Sequence, residues 1–189
     1  MDAEYILQKS HEPQEVSFDR ERFNIVSVGR FCKMKNFRHI PHWVAEIKNR
    51  TSKPFCWYVI GDGEDRIYTM CEIEKYKVAD CVKLLGSKDN PYPYISNADL
   101  HVCCSDFESF SYTIAESKLL HIPVLCNDFA VANEVVDANN GIVVNKSSFV
   151  NTISELINDC HGIYSNLKRN ISDYKYRTDD TVAKLEKIL

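Results

Sequence analysis

Two short stretches of this chain carry residues whose types and spacing could do chemistry. In SVGRFCKMKNF, Arg30 directly follows Gly29, and Lys35 comes five residues after Arg30. Arginine offers a rigid fork of donors and lysine a mobile point charge, so two cations at one strand end could clamp both groups of a diphosphate. Each charge-assisted bond would contribute about 1.5–3 kcal/mol where water is partly excluded. The second stretch, SDFESFSYTIAES, sets Glu108 and Glu116 eight positions apart with a Ser-Phe-Ser turn after the first. The chain leaves the apolar run DLHVCC through Ser105 to Glu108 and is expected to enter a helix near Ser109 to Ser111. The first amides of a helix have no internal partners and carry the positive end of its dipole, which suits a phosphate, and small serines let one come close. On that helix Glu116 could accept bonds from two ribose hydroxyls, while Glu108 in the loop would lie beside the phosphate-linked sugar. The plainer alternative makes Arg30 and Lys35 solvated charges, Glu108 a helix-dipole partner and Glu116 a solvated helix residue.

The elements that must position these residues are legible as short apolar runs: FNIVSV, CWYVI, CVKLL, DLHVCC, PVLC and GIVV. Each has the length of a strand, and most are apolar on both faces, as parallel strands covered by helices on two sides tend to be. Between them Phe37, Ile40, Val44 and Ile47 follow helical spacing, as do Val150, Ile153, Leu156 and Ile157. This alternation predicts an α/β fold, a doubly wound parallel sheet of about six strands. Gly29, Gly61 and Gly86 each follow one of the first three runs. In such a sheet the carboxyl ends of the strands border the ligand crevice, where glycine permits tight turns and close approach. Simple turn geometry accounts for these glycines equally well.

The 189 residues suit one substantial core. Apolar residues are 44% and the net charge is −4, so no global field gathers nucleic acid or an anionic membrane, and any phosphate must be met locally. The eight cysteines form no C-x-x-C pair and several sit in apolar runs, which reads as reduced, buried thiols in a cytoplasmic protein rather than disulfides or metal ligands. Residues 1–22 are polar, with at most a short helix over Tyr5 to Lys9, and TDDTVAKLEKIL at the other end predicts an amphipathic helix.

VGRFCKMKN, YVIGDGED, ISNADLHVCCSDFESFSYTIAES, IPVLCND, NEVV and NGIVV occur in an order that resembles the carboxyl-terminal, donor-binding domain of family 4 glycosyltransferases of the GT-B fold. The resemblance covers residues 23–144 closely. It implies retaining transfer of a sugar from a UDP- or GDP-sugar to a glycan or lipid-linked acceptor in cell-surface polysaccharide synthesis, with no metal or other cofactor. It implies that Arg30 and Lys35 bind the diphosphate, that Glu116 holds the ribose, and that Glu108 with the amides of Ser109, Phe110 and Ser111 faces the donor sugar and phosphates. Gly29 and Gly61 would keep the crevice floor open, and the acceptor hydroxyl would attack from the face the phosphate leaves. The organisation it implies is a linker or extension over 1–22, a Rossmann-like domain over 23–172, and a terminal helix over 173–189 that packs on a missing amino-terminal, acceptor-binding domain. The expected setting is cytoplasmic, with peripheral membrane association through the full-length enzyme. Five positions depart from the family pattern: Ser109 and Ser111 replace glycines, Ala130 and Val131 replace a glycine pair ahead of Glu134, and Cys104 replaces a proline.

Two rival readings use the same sheet. A non-catalytic nucleotide-binding or interaction module would keep Arg30 and Glu116 but tolerate loss of Glu108. A GT-B-type sugar-nucleotide epimerase would need further acid–base groups, for which His101, His121 and His161 are poorly placed.

Overall fold

The computed structural model describes residues 2–174. Six strands, β1 (Phe23–Val28), β2 (Phe55–Ile60), β3 (Val82–Gly86), β4 (Leu100–Cys103), β5 (Val124–Asn127) and β6 (Gly141–Val144), form one sheet in the order β3-β2-β1-β4-β5-β6. Every pairing is parallel. The six apolar runs are thus the six strands. Strand order reverses between β1 and β4, and in an open parallel sheet that switch point opens a crevice at the carboxyl ends of the strands.

Alternation along the strands sends side chains to two faces, both covered. Phe23, Ile25, Trp57, Val59, Leu100 and Val102 share one core with α2 (Ile40–Lys48), α3 (Arg66–Tyr76), α7 (Phe149–Asn158) and α8 (Ile163–Ser172). The α7 stripe Phe149, Val150, Ile153, Leu156 and Ile157 is buried, and Phe149 stacks on Trp43 of α2 with ring centroids 5.1 Å apart. Each fully buried aliphatic or aromatic side chain of this kind contributes about 1.5–3 kcal/mol. Val26, Cys56, Tyr58 and Ile60 face the other side, against α1 (Ala3–Ser10), α4 (Tyr92–Ser96) and the end of α5 (Tyr112–Leu119). A third cluster joins Cys103, Val124 and Cys126 to Ile114 of α5 and Ala132 of α6 (Ala132–Val135).

The amino-terminal segment departs from the expected irregular extension. Helix α1 is longer than predicted, Ile6 is buried, and Phe18 stacks on Tyr58 with centroids 3.8 Å apart, so residues before 23 form part of one sheet covering. Polarity hid this, because only Ile6 and Phe18 of the segment are apolar residues buried in the core. Of the expected terminal helix over 173–189, residues 175–189 lie outside the described residues. No helix among the described residues is long and apolar enough to cross a membrane.

Candidate functional site

The loops after β1 and β4 meet at the switch point. The Asp106 amide donates to the Met34 carbonyl (2.9 Å), and Asn36 Nδ2 donates to the Cys104 carbonyl (2.9 Å). From the far side, Asn127 Nδ2 at the end of β5 donates to the Ser105 carbonyl (3.0 Å), and Lys146 after β6 pairs with Asp106. Asn36 itself is left-handed, between the short turns Lys33–Lys35 and Phe37–His39 that lead into α2. These bonds fix the two loops that carry the candidate residues relative to each other.

Lys35 and Glu108 come together. Lys35 Nζ lies 2.5 Å from Glu108 Oε1, and the two side chains are only 23% and 12% exposed. The same oxygen accepts from Ser105 Oγ at 2.7 Å. The lysine stem runs beside Gly29: a Cβ on Gly29 would sit 3.5 Å from Lys35 Cε. Gly61 serves main-chain packing more than crevice depth, because a Cβ there would lie 1.9 Å from the Gly29 carbonyl oxygen. No side chain fits that approach, and the φ of +134° favours glycine as well.

Arg30 stands apart from this pair. It is exposed, and its guanidinium binds Glu64 after β2, with Nη2 at 3.1 Å and Nε at 3.2 Å from one carboxylate oxygen. An exposed ion pair of this kind contributes little and is screened by solvent, so it yields easily to a better anion.

Helix α5 begins one step later than the predicted entry at Ser109 to Ser111, at Tyr112. Ser109 and Phe110 lie in the preceding loop. Ser111 caps the helix with φ 56° and ψ 72°, left-handed geometry that explains why the resemblance expects a glycine at this position. Its side chain is buried and its Oγ has no hydrogen-bond partner, an arrangement that normally costs about 1–3 kcal/mol. A helix entrance with orphan amides and an unpartnered buried hydroxyl is suited to an anion.

Glu116, five residues into α5, accepts a bond from Tyr92 Oη at 3.2 Å. Burial raises the Glu116 carboxyl above its ordinary value, and the Tyr92 bond partly offsets the rise. The helix is moored behind it by Ser117, whose Oγ lies 2.9 Å from Nδ1 of the buried His101. Burial first, then the charge of Lys35, holds the His101 imidazole down at about 3. That leaves it neutral and unsuited to acid–base work, and His121 is engaged by the Ile171 carbonyl at 2.8 Å. Burial likewise pushes the Cys104 thiol well above its ordinary range, which makes it an inert core group. All eight cysteines are free, five of them buried. Among the described residues no group of His, Cys, Asp and Glu could hold a metal ion.

Ser105, Asn36, Asn127, Lys146 and Tyr92 escaped the sequence reading. Asn127 alone left a signal, as a polar residue closing an otherwise apolar run.

This topology defines a Rossmann-like α/β domain of the GT-B type. The chain belongs to the group 1 glycosyl transferases, whose family description matches residues 8–178. It is 27% identical over 188 residues to an uncharacterized 41.2 kDa protein in the cps region of Klebsiella pneumoniae, covering 96% of this chain and 50% of that protein. It is 30% identical over 128 residues to the Campylobacter jejuni N-acetylgalactosamine-N,N'-diacetylbacillosaminyl-diphospho-undecaprenol 4-alpha-N-acetylgalactosaminyltransferase, covering 68% of this chain and 33% of that enzyme. Among solved structures it is similar to Anabaena HepE in complex with UDP, with a TM-score of 0.68 and 20% identity over 89% of this chain and 50% of HepE. The chain therefore spans half or less of each of these relatives.

Proposed function

We propose that this chain is the donor-binding half of a retaining glycosyltransferase that takes a UDP- or GDP-sugar and passes the hexosyl group to a glycan or lipid-linked acceptor in cell-surface polysaccharide synthesis. The observation that carries the reading is the meeting of the Lys35–Glu108 pair with the loops of the switch point, next to a helix entrance whose buried Ser111 hydroxyl lacks a partner. Lys35, joined by Arg30 when it leaves Glu64, would hold the diphosphate together with the amides of Ser109, Phe110 and Ser111. Glu116 would take the ribose, and Glu108 the donor sugar. As the bond from the anomeric carbon to the phosphate oxygen breaks, its electron pair goes to the diphosphate. Cations and amide dipoles already in place then favour the transition state over the ground state. The acceptor oxygen would bond to the anomeric carbon from the same face and give its proton to the departing phosphate, with no metal required. A second domain would supply the acceptor and exclude water by closing over the donor. The working location is the cytoplasm, with the full-length enzyme at the inner face of the membrane.

Titration of the chain with UDP and with GDP, followed by amide NMR, tests this. Shifts are expected at Arg30, Lys35 and residues 109–116, and Glu116→Ala should weaken binding more than Glu134→Ala on α6. Saturating nucleotide with no shifts at those amides would overturn the reading.

A further inference from the structure

The carboxylate assigned to the ribose is held by a strap that reaches back to the amino-terminal helix. Tyr92, the first residue of α4, donates its hydroxyl to Glu116 Oε1 at 3.2 Å. Its own amide donates to Asn90 Oδ1 at 3.2 Å. Asn90 Nδ2 in turn donates to the Lys9 carbonyl in α1 (2.9 Å) and to Glu12 Oε2 (2.8 Å). A second tie fastens the same loop, with Lys88 Nζ 2.5 Å from Glu15 Oε2. The tyrosine ring is half-buried beside the α1 and α4 core, so the hydroxyl is delivered to Glu116 from a fixed direction.

We propose that Tyr92 is a positioning residue for nucleoside recognition: by engaging one oxygen of Glu116, it aims the other at the vicinal diol of the nucleotide's ribose. Asn90, tied to α1, sets Tyr92 in turn. A carboxylate on a helix has several rotamers, and one that must be frozen on binding costs about 0.5–1.5 kcal/mol per side chain, so a prior bond from Tyr92 removes part of that cost. Burial and the nearby Glu116 carboxylate push the Tyr92 phenol up to about 12, so it stays a donor throughout the physiological range. This inference rests on the nucleotide-sugar reading above, in which Glu116 meets the ribose.

The test is calorimetry on the chain with UDP, 2′-deoxy-UDP and inorganic pyrophosphate as separate probes. Tyr92→Phe should weaken UDP by about 3–10-fold, the order of the rotamer-freezing cost that the prior bond removes, and leave pyrophosphate within about twofold. The loss should shrink for 2′-deoxy-UDP and vanish when Glu116 is already Ala, which leaves the Tyr92 hydroxyl no acceptor to aim. A merely structural role would weaken pyrophosphate as much as UDP, since it would disturb the whole crevice. Asn90→Ala, which loosens Tyr92 without removing it, should give a smaller loss of the same selectivity and carries the test if Tyr92→Phe does not fold. If Glu116→Gln weakens UDP but neither Tyr92→Phe nor Asn90→Ala does so selectively over pyrophosphate, the positioning role is refuted and the donor site stands. If Glu116→Gln leaves UDP binding unchanged, the ribose assignment and the inference fall together.

Discussion

Removing the charge of Glu108 should make the chain bind UDP more tightly, even though Glu108 belongs to the proposed site. Lys35 is already engaged: its Nζ sits 2.5 Å from Glu108 Oε1, and both side chains are largely withdrawn from water. A charge-assisted bond in such a setting contributes about 1.5–3 kcal/mol. A diphosphate that recruits Lys35 must give up or share that bond, and at about 1.4 kcal/mol per tenfold the pair holds back UDP affinity by roughly 10–100-fold when it breaks completely. Glu108→Gln keeps the size of the side chain and an acceptor for Ser105 Oγ but removes the competing anion. We expect calorimetric Kd for UDP to fall by about tenfold, the lower end of that range, because the amide still accepts a weaker bond from Lys35. The gain should be smaller for a UDP-sugar, whose sugar loses its contact with the carboxylate. It should disappear in Lys35→Ala, which leaves no cation to release. An unchanged or weaker Kd for UDP in Glu108→Gln would refute the claim that the pair competes with the diphosphate.

Two further outcomes concern the scaffold. Ser111→Gly should stabilise the fold by about 1–2 kcal/mol, read as a higher urea midpoint, because glycine relieves the left-handed backbone and removes the unpartnered hydroxyl, less its own entropy cost; an unchanged midpoint would show that Ser111 is not strained. His101 is buried with its imidazole held at about 3, against 6.5 for the free side chain, so the unfolded chain takes up a proton that the native state refuses. Stability from this group is complete above 6.5 and is lost as pH falls from 6.5 towards 3. The limiting slope is about 1.4 kcal/mol per pH unit. His101→Asn should flatten that slope in urea midpoints taken from about pH 7.5 down to about pH 5, and an unaltered slope would assign the acid sensitivity elsewhere.

The strands were readable because a parallel strand buried on both faces must be apolar throughout its length, and β1 and β2 are buried along almost all of theirs. Helix α7 was equally plain, since its buried stripe repeats at helical spacing. Helix α1 is longer than its sequence suggests and its packing is not legible there, because one buried isoleucine in a polar helix leaves no periodic signal. At the site, the loops that bear Lys35 and Glu108 were identified, whereas the partners were not. Lys35 and Glu108 are 73 residues apart, Arg30 and Glu64 are 34 apart, and Tyr92 and Glu116 are 24 apart. Nothing in local spacing relates such pairs. Helix α5 starts later than its sequence predicts for a related reason: Ser111 takes a left-handed conformation unfavourable to its own type, imposed by the loop that carries it.

Hydrophobic patterning by itself determined the six strands, the two covered faces and the side of the sheet on which polar loops collect, because burial acts on each short segment according to its own composition. Only the tertiary structure decided which charges meet there: that Lys35 turns to Glu108 while Arg30 turns to Glu64, and that Tyr92, moored through Asn90 to α1, holds Glu116. Those choices follow from strand register and loop conformation, which bring distant residues within bonding reach.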